Sequence, residues 1–578
     1  MPHSIAFGLG RISKSIRETG RASGRCFCLL FGFLPWLCAW TPTGYGQNQV
    51  ILEVVDIDSR EPIAARVEFT RSGKKLKRDR KVLTFGDTWL AEGSLPLQPP
   101  PGDYEFLVQR GPEFNTIRGG FTIERGGDTV LIEVPRSIDM HEEKWFSGDM
   151  GSDLPIDQLA RWQIADAIDM VIHASSPAVT DKGSASPKSP ASPKNTAPSK
   201  PSSKQTNAPK LGGPKEVGYR WRGSSREYRS TAFGLAIHRL PDPDVAQDPA
   251  SAATPSLPVS TDPYEALEAI EDDPMAIAEI TQLLASDLPI LLAHPKIRCA
   301  RVLNFANRVA SDVSLELNRA TGDDLFAKLT IPMDKNRWSI PVLAPFPDKD
   351  QIRFRGPHGA GRMSEAVYWQ VLEAGLRIPP TAASGFGAGE THLGYNRVYA
   401  YCDSVVNPEA WWQAIAKGEL FITNGPLLRV MINEVPPGTL QAIHNREVLP
   451  LSIDVSLGVR DPVDYLDVIF NGESLYNAKL EDHYRKGEFP PIEISQSGWL
   501  VVRVVTAHEP GYRMATTAPF YFEVDGKKRV RQSAVEFLQE WLARSERSQV
   551  SESIDTAARR RAIERAKEFW QERLAQAE

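Results

Sequence analysis

The stretch Lys144-Trp-Phe-Ser-Gly-Asp-Met-Gly-Ser-Asp153 constrains the fold more than any other part of the chain. It reads as a short buried strand, Trp145–Phe146, running into a loop crowded with carboxylates. A helical pattern follows at once, with Ile156, Leu159, Ala160, Ile164, Ala167 and Ile168 on one face. Met170-Val171-Ile172 then reads as a second strand that ends in His173. The result is a strand–loop–helix–strand unit with polar side chains at the strand ends, where α/β folds keep their sites.

On either side of this unit the pattern changes. From 47 to 136 it is all-β: short apolar runs at regular spacing, punctuated by Pro99-Pro-Pro-Gly102 and Gly126-Gly127, predict a small β-sandwich. The Pro-Pro-Gly-Asp-Tyr piece resembles the carboxypeptidase-regulatory-like or transthyretin-like modules that precede secreted bacterial enzymes. Residues 137–425 form an α/β domain with two interruptions. Residues 175–218 have no aromatic residue but repeated Ser-Pro-Lys and Ala-Pro, a composition that cannot offset its ordering entropy and predicts disorder. A second loop, 241–263, is rich in Pro, Asp and Ala. Between and after these interruptions, strands are expected at Tyr219–Tyr228, Ala232–Leu240, Pro289–Leu292 and Cys299–Phe305. Helices are expected at Tyr264–Ile270, Met275–Ala285 and Ser364–Ala374, the last with Gly375 just past its end. Asn407, Pro408 and Gly418 supply the cap, first-turn and terminating chemistry of another helix. Gly356-Pro-His-Gly-Ala-Gly361 follows no clear βαβ pattern and reads as a loop. A C-terminal β domain, 426–525, carries an Asn471-Gly472 hairpin signal. Helices at Ser533–Arg544 and Thr556–Ala575, within 526–578, bear apolar stripes suited to docking on the body.

The Trp145–Asp153 stretch resembles the first motif of the PHP-type metal-dependent hydrolases, in their secreted carbaryl-hydrolase-like branch. Those proteins read roughly Trp-[Trp/Phe/Tyr]-Ser-Gly-Asp-Leu-His-x-His here. Two histidines at i and i+2 on a strand end point the same way and can share one metal cluster. This chain keeps Trp145, Phe146, Ser147, Gly148 and Asp149, with Met150 for Leu, but has Gly151 and Asp153 where the family has its histidines. Asp287-Leu-Pro-Ile-Leu-Leu-Ala293, Gly394-Tyr-Asn-Arg-Val-Tyr399 and Phe421-Ile-Thr-Asn-Gly-Pro426 resemble the same branch. The late Asp-x-His motif falls near Ala382–Gly385, which reads Ala-Ala-Ser-Gly. The resemblance implies an α/β fold in which a PHP-like distorted (β/α) barrel is flanked by the N-terminal β-sandwich and the C-terminal β domain with its terminal helices. It also implies metal ions and hydrolysis of ester, amide, carbamate or phosphoester bonds.

A working site of that kind needs several His, Asp and Glu side chains converging on its metals. The candidates left are Asp149, Asp153, Asp166, His173, Glu390 and His392. Each also has an ordinary structural reading. Asp149 suits bonding to loop backbone and Asp153 suits an N-cap. His173 at a strand end is either a remnant of a site or a buried, hydrogen-bonded histidine. Glu390 and His392 at i, i+2 would hold a metal only if extended. His294, before Pro295 in a turn, reads as structural. The expected cofactor is therefore none, or a divalent Mn, Mg or Zn ion on an oxygen-rich ligand set. No Gly-x-Ser-x-Gly elbow or P-loop is present.

Three functions follow as expectations. The first is a PHP-like homologue with a decayed metal site and a binding or scaffolding role, taking an unknown ligand or small molecule. The second is an active hydrolase with a rebuilt site, and the third a cell-surface structural protein. The net charge of −6 gives no electrostatic case for nucleic acid. The N-terminus, 1–46, reads as a secretory signal: Arg11, Lys14, Arg17, Arg21 and Arg25 precede an apolar run, Cys26–Trp40, shorter than the ~20 residues of a membrane span. Export to the periplasm or outside is expected, with a signal anchor and cell-envelope association as the alternative. Only Cys299 and Cys402 lie beyond that segment, either paired or as two buried thiols.

Overall fold

The structure, a computed structural model, describes residues 49–578 apart from 77–81, 125–126, 176–219, 230–231, 241–259, 305, 309–313, 320–324, 334–335, 348–351, 386–390, 404–405, 445–446 and 549–555. The expectations for the leader, for most of 175–218 and of 241–263, and for Glu390 lie outside the described residues. The chain divides into two compact units, Met1–Arg110 with Phe114–Arg136, and Gly111–Glu113 with Ser137–Glu578.

The first unit is built of strands. Thr84–Phe85, Thr88–Glu92, Ala64–Arg71, Gly102–Gln109 and Ile117–Ile123 pair in that order, all antiparallel, with Lys74–Lys75 on Ala64–Arg71. Ser94–Leu97, Gln49–Asp56 and Gly127–Val134 form a second sheet. Burial alternates, with Val50, Leu52 and Val54 inward in one sheet and Tyr104, Phe106 and Val108 inward in the other. Each sheet therefore buries one face, as an alternating pattern requires.

The second unit is mixed α/β around one long sheet. Its strands are β1 (Trp145–Ser152), β2 (Met170–Ser175), β3 (Trp221–Arg229), β4 (Gly234–Arg239), β5 (Ala276–Ile280), β6 (Ile297–Leu303), β7 (Pro380–Ala382), β8 (Arg397–Tyr401) and β9 (Leu420–Thr423). Their order is β7-β6-β5-β4-β3-β2-β1-β8-β9, and beyond β9 the sheet continues into Met514–Thr517, Gly498–Thr506 and Val463–Phe470. The region 426–525 thus shares a sheet with the α/β region. Pairing is parallel for β1/β2, β2/β3, β5/β6 and β6/β7, and antiparallel for β3/β4, β4/β5, β1/β8 and β8/β9.

Several expectations are corrected. β1 does not stop at Phe146 but continues through the carboxylate-bearing stretch to Ser152, with every residue buried. A strand covered on both faces reads as a continuous run, and its small residues make room for its neighbours. Helix α1 (Ile156–Ala165) starts after Pro155, so Asp153 is not its N-cap. Its buried face is Leu159, Trp162 and Ala165, while Ile156 is exposed. Met275–Ala285 is not helical: Ala276–Ile280 is β5, where pairing with β4 and β6 overrides local propensity. Pro289–Leu292 is not a strand but lies in helix α3 (Leu288–Leu292), after α2 (Pro263–Ala269). Gly359–Gly361 opens helix α4 (Gly359–Glu373) rather than lying in a loop. A meander of Ser314–Arg319, Leu325–Met333 and Asn336–Val342 was not anticipated.

Other local readings hold. Asn407 caps α5 (Pro408–Lys417) by accepting from Ala410 N at 2.7 Å, and Gly418 ends it at φ +78°. Asn471 and Gly472, both at positive φ, turn the hairpin between Val463–Phe470 and Glu473–Ala478. Helices α6 (Gln532–Arg547) and α7 (Thr556–Ala575) dock on α3 through buried tryptophans. Trp541 Nε1 donates to Ser286 O and Trp570 Nε1 to Pro289 O, each at 2.9 Å. Asp287, fully buried, receives both Arg559 Nε (2.8 Å) and Nη2 (2.9 Å), together with Ser545 Oγ and Tyr264 OH. The Asp287–Ala293 segment is thus the seat of the C-terminal helices.

Candidate functional site

Asp149 sits in β1 with no exposed surface. Its Oδ1 accepts from Gly151 N (3.1 Å) and Ser384 N (3.2 Å), and its Oδ2 from Gly394 N (2.8 Å). Burial pushes the carboxyl up, and Ser384 and these amides pull it back. It is therefore a tie between β1 and two later loops. Asp166, at the end of α1, is buried with Oδ1 3.7 Å from His392 Nδ1, and its carbonyl accepts from Arg397 Nη2 at 3.3 Å. His392 Nδ1 also lies 3.1 Å from its neighbour's carbonyl, Leu393 O. Asp153 is half-buried and interacts electrostatically with Arg229. Burial lowers the His173 imidazole, opposed by a hydrogen bond to the Leu154 backbone. His294 Nδ1 accepts from Lys296 N at 3.2 Å, and burial with Arg565 nearby lowers the imidazole to about 4. Cys299 and Cys402 are free, buried thiols, not a disulfide.

Asp166 and His392 approach each other, but the described candidates do not converge on one point. Among the described residues, no three of His, Cys, Asp and Glu are grouped so as to hold a metal ion.

The convergent polar cluster is one that the sequence reading missed. The ladders pair Glu227 with Ala236, Ala236 with Glu279, and Arg301 with Thr381. Paired residues share a face, and so do residues two apart, so Glu227, His238, Glu279, Arg301 and Thr381 face one way from β3, β4, β5, β6 and β7. Arg301 is at the centre and wholly buried. Its Nη2 lies 2.5 Å from Glu279 Oε2 and 3.3 Å from Met150 O, its Nε 3.3 Å from Glu279 Oε1, and its Nη1 3.4 Å from Glu227 Oε1. His238 Nε2 is 3.0 Å from Glu279 Oε2, Thr381 Oγ1 donates to Glu279 Oε1, and Arg229 Nε reaches Glu227 Oε1 at 2.5 Å. Burial alone would raise the Glu279 carboxyl, but Arg301 and His238 outweigh it and hold it at about 2. Burial opposes the Arg301 charge too, and Glu279 and Glu227 hold it above its ordinary value.

These contacts fix the shape of the sheet. In the strand order β6 lies five places from β1, ~24 Å away if the sheet were flat. Yet Arg301 of β6 touches the Met150 carbonyl of β1, and Ser384, just past β7, gives its amide to Asp149. The sheet curls until its β7 edge returns to β1.

The residues of the cluster do not fit a metal ion. Gly151 offers no side chain, and a Cβ built there would lie 3.2 Å from Arg301 Nη1 and 3.3 Å from Nη2. Both Asp149 oxygens are taken by amides and both Glu279 oxygens by Arg301, His238 and Thr381. At the other end of β1 an open recess of about 280 Å³ is lined by Glu142, Glu143, Lys144, Trp145, Tyr401 and Arg429, among others.

No protein-family model, no curated protein and no solved structure matches the chain.

Proposed function

We propose that the curled sheet is a distorted barrel of the PHP kind and that the protein is an exported homologue of those metallohydrolases whose metal site has decayed. Its role is then to bind or to scaffold rather than to hydrolyse. The observation that carries this reading is Gly151. The resemblance puts the first metal histidine there, and the space its side chain would enter is bounded by the Arg301 guanidinium. A guanidinium cannot lose its proton to become a ligand, and it repels a cation. The recess beside Tyr401 and Arg429 is the place where a small ligand would sit in a binding role.

The test is elemental analysis of purified protein together with turnover of model phosphoesters, carbamates and esters. The expected result is no stoichiometric Mn, Mg or Zn and background hydrolysis with or without added metal. Stoichiometric metal with metal-dependent turnover, lost in Asp153→Ala and His173→Ala, would establish an active hydrolase instead. Export is part of the same proposal. Among the described residues no helix is long and apolar enough to cross a membrane, and N-terminal sequencing of secreted material tests cleavage between Trp40 and Gln49.

A further inference from the structure

We propose that Arg301 is an internal substitute for a metal ion: its guanidinium, joined by Arg229 at Glu227, supplies the positive charge that the buried Glu279 and Glu227 carboxylates would otherwise demand from a divalent cation. The inference rests on the metal-free reading above and deepens it by naming what replaced the metal.

The coordination around the guanidinium has the make-up of a metal ion's shell. It is met by both oxygens of Glu279, one oxygen of Glu227 and the Met150 carbonyl. His238 approaches the same Glu279 oxygen through Nε2 at 3.0 Å. All of these groups are buried, so water cannot neutralise the carboxylates. Two carboxylates taken out of water must be given positive charge, and here the chain carries it covalently, on Arg301 against both and on Arg229 against Glu227 at 2.5 Å. Arginine suits the post because its planar fork of five donors can serve several acceptors at once, and because it stays charged when buried. One further atom points the same way: Glu227 Oε2 is buried with no hydrogen-bond partner among the described residues, so the guanidinium leaves part of the shell unserved.

The device has a direct chemical consequence. Cutting Arg301 back to its Cβ leaves a cavity lined by the Glu279 and Glu227 carboxylates and the Met150 carbonyl, with His238 beside Glu279 and Arg229 still on Glu227. An oxygen-rich set with one imidazole suits Mn²⁺ or Zn²⁺. Once the freed Glu227 and Glu279 close on the vacated space, Arg301→Ala should therefore create a metal site where, among the described residues, the wild-type chain groups no three such ligands. Gly151→His alone should lower Tm, because its Cβ presses on Arg301 Nη1 and Nη2 at 3.2 and 3.3 Å. Joined to Arg301→Ala, it should add a ligand.

The experiment measures bound metal and Tm for wild type, Arg301→Ala, Arg301→Ala/Glu279→Gln, Gly151→His and Gly151→His/Arg301→Ala, each equilibrated with Zn²⁺ and separately with Mn²⁺. Expected are stoichiometric metal and a metal-dependent rise in Tm for Arg301→Ala. The Gly151→His/Arg301→Ala protein should bind more tightly still. Wild type, Gly151→His and Arg301→Ala/Glu279→Gln should show neither effect. If Arg301→Ala folds only when produced with added Zn²⁺ or Mn²⁺, that supports the proposal equally. Folded Arg301→Ala that binds neither ion overturns it, and so does failure of both Arg301→Ala proteins to fold with metal present. Stoichiometric metal in the wild type would instead sink the metal-free reading itself.

Discussion

Glu279→Gln tests whether the buried charge network holds the second unit together. Glutamine keeps the volume and one acceptor but removes the charge that faces Arg301. The magnitude follows from the Glu279 carboxyl, which burial would raise but which Arg301 and His238 hold at about 2 against an ordinary 4.5. That gap of ~2.5 pH units, at ~1.36 kcal/mol each, is worth ~3 kcal/mol of folding free energy. A second route agrees. Removing one partner of a buried ion pair costs about 3–5 kcal/mol because the other charge is stranded, and Glu227 at 3.4 Å would be the only carboxylate left on Arg301 among those in contact with it. The sign with pH also follows. Glu279 has the lower pKa in the folded state, so its contribution is complete above about 4.5 and is lost as pH falls from there towards about 2. Urea unfolding followed by tryptophan fluorescence should show the variant ~3 kcal/mol less stable near neutral pH, with the gap from wild type closing through that acid window. A loss below ~1 kcal/mol, the size of an exposed pair, or a gap indifferent to pH, would refute the network as a source of stability.

Three further outcomes are expected. Gly148→Ala should cost ~1–3 kcal/mol by overpacking, because its Cβ would lie 2.3 Å from Trp411 Cζ2 while Trp411 is pinned through Nε1 to Phe146 O; thermal melts of the two proteins check it. Asn407→Ala should lose ~1 kcal/mol with the α5 cap, and Asn407→Asp should keep most of it, as read by chemical denaturation. Cys299 and Cys402 should resist thiol reagents until the chain unfolds, since burial pushes both thiols up, Cys402 to about 12; mass-spectrometric mapping of labelled peptides in native buffer and in denaturant decides this.

What could be read in advance was what depends on neighbours in the chain. The Asn407-Pro408 start and Gly418 end of α5, the Asn471-Gly472 hairpin and the Trp541 and Trp570 stripes are each set within a few residues. The errors came where tertiary pairing decides. Ala276-Ile-Ala-Glu-Ile280 fits a helix until β4 and β6 flank it. The face of α1 was misjudged because Trp162 turns inward and Ile156 does not. The Arg301 network was illegible for the same reason: Glu227, His238, Glu279, Arg301 and Thr381 come singly from five strands, and only ladder register brings them together. A signal did exist. Glu279 within Ala-Ile-Ala-Glu-Ile, Arg301 within Cys-Ala-Arg-Val-Leu and His238 within Leu-Ala-Ile-His each break an apolar strand with one charged or titratable residue. In strands buried on both faces, such a residue has to find a partner inside.

Ser147, Gly148, Asp149 and Asn396, among the residues that carry the resemblance, each have structural work that does not involve a metal. Ser147 accepts and donates around Asp169, through Asp169 N at 3.2 Å and Asp169 Oδ2 at 2.9 Å. Gly148 leaves room for Trp411. Asp149 gathers amides from 151, 384 and 394. Asn396, in the Gly-Tyr-Asn-Arg-Val-Tyr block, holds the carbonyls of Asn304, Asn307 and Ala383 through one amide nitrogen at 3.0–3.1 Å. Losing any of these would leave a buried polar group unpaired or a tryptophan without space, at a cost the fold has to bear whatever the protein does. A histidine whose only partner is a metal carries no such cost once the metal is gone. On the decayed-site proposal, Gly151, beside a guanidinium that already serves the carboxylates, is what that asymmetry would leave behind. The residues that carry the resemblance therefore bear on the scaffold, and only the ligand positions bear on chemistry.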